Sequence, residues 1–325
     1  MKNKRGRFAL IPLVLAALAS VASSAVVAQD DFPARPLTII NPWAAGSSTD
    51  TMARSLAEEM HKTLGQSVVV ISREGGSGVI GMNVLTQSAP DGLTMAFTPM
   101  TPITIQPHYV KGLKLNPDAV QPLCGVTENI LGVSVRSDSP YQSIGELVTA
   151  AKTKSLNYGS PGPNSAPFLA IDQLERDQKL QLNHVPYKGD AGSIQELLAG
   201  RLDFVSSIAA SAAPQVRAGK LRLLAVTSER RHPAFPEVPT FKELGMAVQE
   251  DSFAGLFVPR GVPEAALAKL DAACAAATKS DAVKQLAQRG DQVVFYQNRQ
   301  QWEKRIANEF RKQGEAAKRN ATASK

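Results

Sequence analysis

The sequence has 325 residues, with 36 Lys and Arg against 29 Asp and Glu, a formal charge of +7, and 43% hydrophobic residues. That apolar fraction excludes an intrinsically disordered chain, and the length suits one large domain or two smaller ones. The excess charge sits at the two ends: four basic residues fall among the first seven, and 308–325 carries five against two acids, leaving 27 charges of each sign between. A nucleic-acid binder carries its excess on the folded body, so nucleic acid is not an expected partner.

Lys2, Lys4, Arg5 and Arg7 precede an apolar stretch over 8–22, and Val26-Val27-Ala28 offers a small-x-Ala cleavage site before Gln29. This is the three-part layout of a secretory signal peptide, and the run falls short of the roughly 20 apolar residues a membrane span needs. Residues 1–28 are therefore expected to be cleaved near Ala28, leaving a soluble chain in the periplasm or outside the cell.

From there, short β-branched runs alternate with helical spacing. A strand is predicted over 37–41, then a helix over 49–64 with Met52, Leu56, Met60 and Leu64 on one face and Gly65 as its stop. The strand at 67–72 leads into Gly76-Ser77-Gly78-Val79-Ile80-Gly81, which fits G-x-G-x-x-G. A dinucleotide site also wants an acid about 20 residues on, and 93–116 contains none, so the glycines read as a tight loop. Further strands are predicted at 93–98, 156–158, 182–185, 204–207, 222–227 and 253–258, and further helices at 144–152, 167–177, 193–199, 263–278 and 301–313. The alternation argues an α/β fold with mostly parallel sheets. With no long linker, two lobes would be joined by strands or short turns. The polar end beyond Gln313 reads as a frayed tail.

Catalytic and metal signatures are missing. His61, His108, His184 and His232 have no second ligand at metal spacing, and Gly75-Gly76-Ser77-Gly78-Val79 fails the last position of G-x-S-x-G. No cofactor is expected. Cys124 and Cys274 are the two cysteines. Export permits a bridge between them, but Cys274 lies on the apolar face of an Ala-rich helix, where a free thiol packs as a small hydrophobe. Buried thiols are the favoured reading.

Two strand-to-helix junctions carry more. Asn41-Pro42-Trp43-Ala44-Ala45-Gly46-Ser47-Ser48-Thr49-Asp50 and Asn157-Tyr158-Gly159-Ser160-Pro161-Gly162-Pro163-Asn164-Ser165 each run from a strand through small residues into a helix start. Open amides and the helix dipole make such ends anion sites, while Asp50 and Ser165 also read as ordinary N-caps. Two of them in a two-lobed chain could face one cleft.

The sequence resembles the Bug family, the extracytoplasmic solute-binding receptors of tripartite tricarboxylate transporters. The resemblance spans about 36–290. It rests on Pro42-Trp43-Ala44-Ala45-Gly46 through Thr49-Asp50, Leu64-Gly65-Gln66 before Val68-Val69-Val70, Arg73 with Gly75, Gly78, Ile80 and Gly81, Ala89-Pro90-Asp91-Gly92-Leu93-Thr94, His184-Val185-Pro186-Tyr187-Lys188-Gly189, Leu224-Ala225-Val226-Thr227-Ser228, and Arg231, Pro236, Val238-Pro239-Thr240 and Glu243-Leu244-Gly245.

The resemblance implies a two-lobed, Venus-flytrap periplasmic binding protein without catalytic activity. Lobe 1 is expected to hold 29–125 and 252–313, lobe 2 to hold 126–251, and 314–325 to form the tail. Two loops would clamp a small carboxylate (aromatic, di- or tricarboxylic, or an amino acid) through amides, hydroxyls and ordered water. The first would supply Trp43, Ala44, Gly46, Ser47, Ser48 and Asp50, the second Ser160, Gly162, Asn164 and Ser165, with Pro186 and Tyr187 near the cleft. Trp43, Ser47, Asn164 and Phe168 depart from the family's usual Phe, Gly, Gly and His. Trp43 reads either as a stacking surface for a planar ligand or as hinge packing. Asp50 reads either as a helix-dipole residue or as a partner for a ligand ammonium. The implied partners are permease subunits of a tripartite tricarboxylate transporter, or a sensor-kinase ectodomain, and a monomer is expected. An exported α/β hydrolase with an unrecognised active site is the alternative class.

Overall fold

The computed structural model describes residues 32–248, 250, 252–289 and 292–323, so the leader expected over 1–28 lies outside the described residues. The first half of the described chain runs β1 (Leu37–Asn41), α1 (Ser48–Leu64), β2 (Val68–Ser72), α2 (Val79–Thr86), β3 (Thr94–Pro99), the short α3 (Thr101–Thr104) and α4 (Gln106–Tyr109), β4 (Val120–Glu128), β5 (Leu131–Arg136) and α5 (Ile144–Ala151). It continues through β6 (Leu156–Ser160), α6 (Ala166–Gln178), β7 (Leu182–Pro186), α7 (Asp190–Leu198), β8 (Phe204–Ile208), α8 (Ala209–Arg217) and β9 (Leu221–Val226). The last elements are β10 (Phe253–Pro259), α9 (Glu264–Lys279), α10 (Asp281–Arg289), β11 (Val293–Gln297) and α11 (Arg299–Ala323).

These build two sheets, ordered β11-β4-β10-β3-β1-β2 and β7-β6-β8-β5-β9, each the centre of one lobe. The expectation of mostly parallel sheets is corrected. Four strand pairings are parallel and five antiparallel, so both sheets are mixed. Helical crossovers keep β1, β2 and β3, and β6, β7 and β8, parallel. Of the strands next to the crossings, β5 and β10 run against them, while β4, antiparallel to β10, keeps the direction of β1 and β3.

The first crossing comes a little later than 125, because β4 pairs with β10 and β11 through Glu128 before Leu131 starts the other sheet. Its return falls between Val226 and Phe253. At the crossing, Asn129 N donates to Ser252 O at 2.8 Å and Asn129 Nδ2 to Ser252 Oγ at 3.3 Å, tying the two connections together.

Pro122 and Gly125 give β4 the local pattern of a broken segment. Its register shifts against β10 absorb the proline. Gly125 is required because a Cβ there would meet the Trp302 ring at 2.8 Å. Pro214 hid α8 in the same way. In the core of lobe 1, the fully buried Trp302 packs edge-on against Phe253 and tilted against Phe257.

Two further expectations are corrected. Cys124 and Cys274 are bridged, joining β4 to α9 across a sequence separation of 150. Residues so distant in sequence become neighbours only once α9 packs on the sheet, so the helical pattern around Cys274 could not reveal its partner. Where a frayed tail is expected beyond Gln313, α11 instead continues to Ala323. Its Ala-, Glu- and Lys-rich composition favours helix, and buried Gln313 donates to Glu250 and Glu309.

Candidate ligand-binding site

A cavity between the lobes is lined by Trp43, Ser47, Thr49, Pro99, Thr101, Pro161, Ser165, Pro167, Gly189, Asp190, Ile208 and Ser252. Eleven of these twelve follow or close the carboxyl ends of β1, β3, β6, β7 and β8, where open α/β sheets bind ligands. Ser252 precedes β10, whose antiparallel pairing sets its start beside the end of β3.

In the first loop, Ser47 rather than Asp50 is the N-cap of α1, its Oγ accepting from Asp50 N at 3.2 Å. Asp50 is 3% exposed and turned into the loop. It accepts from Gly46 N at 3.0 Å, Asn41 Nδ2 at 3.2 Å, and Arg54 Nε and Nη2 at 3.0 and 3.1 Å. Burial alone would raise its carboxyl, but the Arg54 hydrogen bonds and charge, with Gly46 and Asn41, hold it below the usual carboxylate range. Asp50 does not line the cavity, and the Gly46 amide expected to stay open is taken by it. The first-turn amides of α1 at Ser48 and Thr49 have no carbonyl inside the helix to bond.

Trp43 is both packed in lobe 1 and part of the cavity lining. Its indole Nε1 donates to Thr98 Oγ1 at 3.1 Å, and its 6%-exposed ring forms one wall of the cavity. Ala44 lies against Gly189 of lobe 2, and Ser48 Oγ is 3.0 Å from Ser211 Oγ across the cleft.

In the second loop, Ser165 caps α6, accepting from Phe168 N and donating to Gly162 O at 2.8 Å. Asn164 takes the left-handed conformation (φ 53°), tolerated by asparagine, and its carbonyl and that of Pro163 accept from Gln106 of lobe 1. Gly162 (φ 128°) admits the close approach of Ser77, whose Oγ donates to Pro163 O at 2.8 Å. The glycine-rich loop thus serves lobe contact, not a nucleotide.

Ser160 Oγ lies 2.7 Å from His184 Nε2, the spacing of a nucleophile and base, and burial lowers the His184 pKa. Neither residue lines the cavity. Pro186 is exposed, and Tyr187 packs its ring toward Gly159 and Gly192 inside lobe 2, so both sit beside the site rather than on its wall.

The residue that sequence reasoning missed is Asp190, at the start of α7 in a third strand–glycine–helix junction. It is 5% exposed and lines the cavity. Its Oδ2 accepts from Ser211 Oγ at 2.8 Å and Ile208 N at 3.2 Å. Burial pushes its carboxyl up to about 6, against those two bonds, which favour the ion. The signal was present in Tyr187-Lys188-Gly189-Asp190, which repeats the logic of the two loops already singled out. Among the described residues, no cluster of His, Cys, Asp and Glu could hold a metal, and no helix is long and apolar enough to cross a membrane.

Residues 52–321 match a family model described as "Tripartite tricarboxylate transporter family receptor". The chain is 36% identical over 309 residues to the "UPF0065 protein in gbd 5'region" of Cupriavidus necator, covering 93% of each. It is similar to the solved periplasmic binding protein BugD, with a TM-score of 0.84 and 27% identity, over 89% of this chain and 98% of that one. MatC from Rhodopseudomonas palustris, solved with bound malate, is similar at a TM-score of 0.83 and 28% identity, over 88% of this chain and all of that one.

Proposed function

Because this chain belongs to the tripartite tricarboxylate transporter receptor family, we propose that it captures a small carboxylate between its lobes and delivers it to the permease of such a transporter. The family and its structural neighbours are solute-binding proteins, not enzymes. The reading includes export, cleavage near Ala28 and action in the periplasm. Its moving bodies are a lobe around the six-stranded sheet, which the chain leaves after Glu128 and rejoins before Phe253, and one around the five-stranded sheet, from Leu131 through Val226.

The observation that carries the reading is the convergence of the capped starts of α1 and α6 on one cavity with the hydroxyls of Ser47, Thr49, Thr101 and Ser165 and, among the described residues, no Lys or Arg in its lining. Such a site holds a carboxylate through amides, hydroxyls and helix dipoles. Closure then needs only contacts that are better in the closed state, such as Ser48 with Ser211. The malate held by MatC supports the carboxylate class.

A thermal-shift screen over mono-, di- and tricarboxylates, aromatic acids and amino acids tests this. Stabilisation by a carboxylate that is recovered chemically unchanged is the expected result. No stabilisation by any of them, or turnover of the bound acid, rejects it.

A further inference from the structure

Asp190 Oδ1 is buried and receives no hydrogen bond from any protein group, although Oδ2 of the same carboxylate has two donors. A buried carboxylate oxygen without a donor is unfavourable, and a hydrogen bond to a charged group is worth more than a neutral one. Among the described residues lining the cavity, Asp190 is also the one titratable side chain, so no described lining cation faces it. Lys188, two residues earlier, is exposed and pairs with Glu74. Asp50, the other acid beside the cleft, is already satisfied by Arg54, Gly46 and Asn41.

Resting on the receptor reading, we propose that Asp190 sets specificity: the cleft takes a carboxylate that also bears a hydrogen-bond donor, an amino acid before a hydroxy acid, and Asp190 Oδ1 accepts that donor. The ligand carboxylate lies toward the starts of α1 and α6, which leaves its ammonium or hydroxyl for the start of α7. A plain di- or tricarboxylate would instead place a second negative charge near Asp190 with no lining cation to offset it. Ser211 is a positioning residue, because its hydroxyl holds Oδ2 while also reaching Ser48 of the other lobe.

The experiment is calorimetric titration of the intact mature protein with three matched series: alanine, lactate and propionate; aspartate, malate and succinate; phenylalanine, 3-phenyllactate and 3-phenylpropionate. In any series that binds, the amino acid is expected to bind about tenfold or more tightly than the parent acid. Asp190→Asn is expected to abolish that preference with its circular dichroism unchanged, and Asp190→Ala provides a second variant should the amide itself find a donor. Equal or tighter binding of the parent acid, or a preference that survives both variants, overturns the role of Asp190 alone. No binding across all nine acids overturns the role of Asp190, and the receptor reading falls with it only where the wider carboxylate screen is also blank.

Discussion

Arg54 grips Asp50 with two hydrogen bonds one helical turn away, Nε to Oδ2 at 3.0 Å and Nη2 to Oδ1 at 3.1 Å. The pair is half solvent and half core: the Arg54 side chain is 53% exposed and that of Asp50 only 5%. Through Gly46 and Asn41, the same carboxylate pins the first loop. Arg54→Met is expected to cost about 1–2 kcal/mol, between the values of a surface and a buried pair. Asp50 is held below its ordinary 3.8, so its stabilising contribution is present above that value and lost as pH falls through the folded-state pKa. Without Arg54, the acid limb of a stability–pH curve should begin at higher pH. An unmoved limb would mean the pair is only decorative.

The ligand-free protein should show the opposite behaviour at Asp190. Its carboxyl is raised to about 6, so the neutral form's contribution is complete below 3.8 and is lost as pH rises through 6. Asp190→Asn should therefore be more stable than wild type at pH 8, by about 2–3 kcal/mol, with little difference at pH 4. Affinity for an amino acid should rise through pH 6 as Asp190 ionises. The groups that face this carboxylate, Ser211 and the Ile208 amide, do not titrate. Affinity that falls over the same range would mean a protonated Asp190 is donating to a ligand carboxylate.

Removing the bridge between β4 and α9 tests how far it stabilises lobe 1. The Cys124–Cys274 link closes a loop of 150 residues, and Cys124→Ala with Cys274→Ala should cost about 2–5 kcal/mol. That corresponds to a fall in Tm of roughly 5–15 °C. Because the bridge lies within lobe 1, ligand affinity at temperatures below the transition should change little.

The helix caps of α1 and α6 also line the cavity, so stability and the proposed binding should respond together to their removal. Ser47→Ala and Ser165→Ala should each lose about 1 kcal/mol of stability and weaken carboxylate binding, since both residues also line the cavity. Gly46→Ala meets no atom within 4 Å, so its cost comes from φ +79° alone, about 1 kcal/mol. Denaturant titrations beside ligand titrations separate the two effects.

Contacts across the cleft should act on closure more than on folding. Gln106 donates to Pro163 O at 2.9 Å and Asn164 O at 3.2 Å, and Ser77 donates to Pro163 O at 2.8 Å. Gln106→Ala and Ser77→Ala should reduce affinity several-fold by removing bonds made only with the lobes together. Small-angle scattering of the liganded variants should then show a larger open fraction at equal ligand concentration.

Local pattern made much of this molecule legible. The four-residue spacing from Met52 to Met60 gave α1, Gly65 ended it in the left-handed conformation, and the small residues between β1 and α1 and between β6 and α6 marked two loops that border the cavity. Breakers misled where tertiary contacts overruled them, as at Gly125 under Trp302 and at Pro122 in the bulged β4.

The sequence alone determined the alternation of strands and helices and the small-residue helix starts, because each depends on residues a few positions apart, and the neutrality of the body, because charge is a sum over composition. Tertiary structure alone decided that Cys124 meets Cys274, that the sheets are mixed, and that Asp190 rather than Asp50 faces the cavity. The reason is electrostatic as well as geometric. Both acids lie in the first turn of a helix, but Asp50 has an arginine one turn away, while Asp190 has two neutral donors and one oxygen left over.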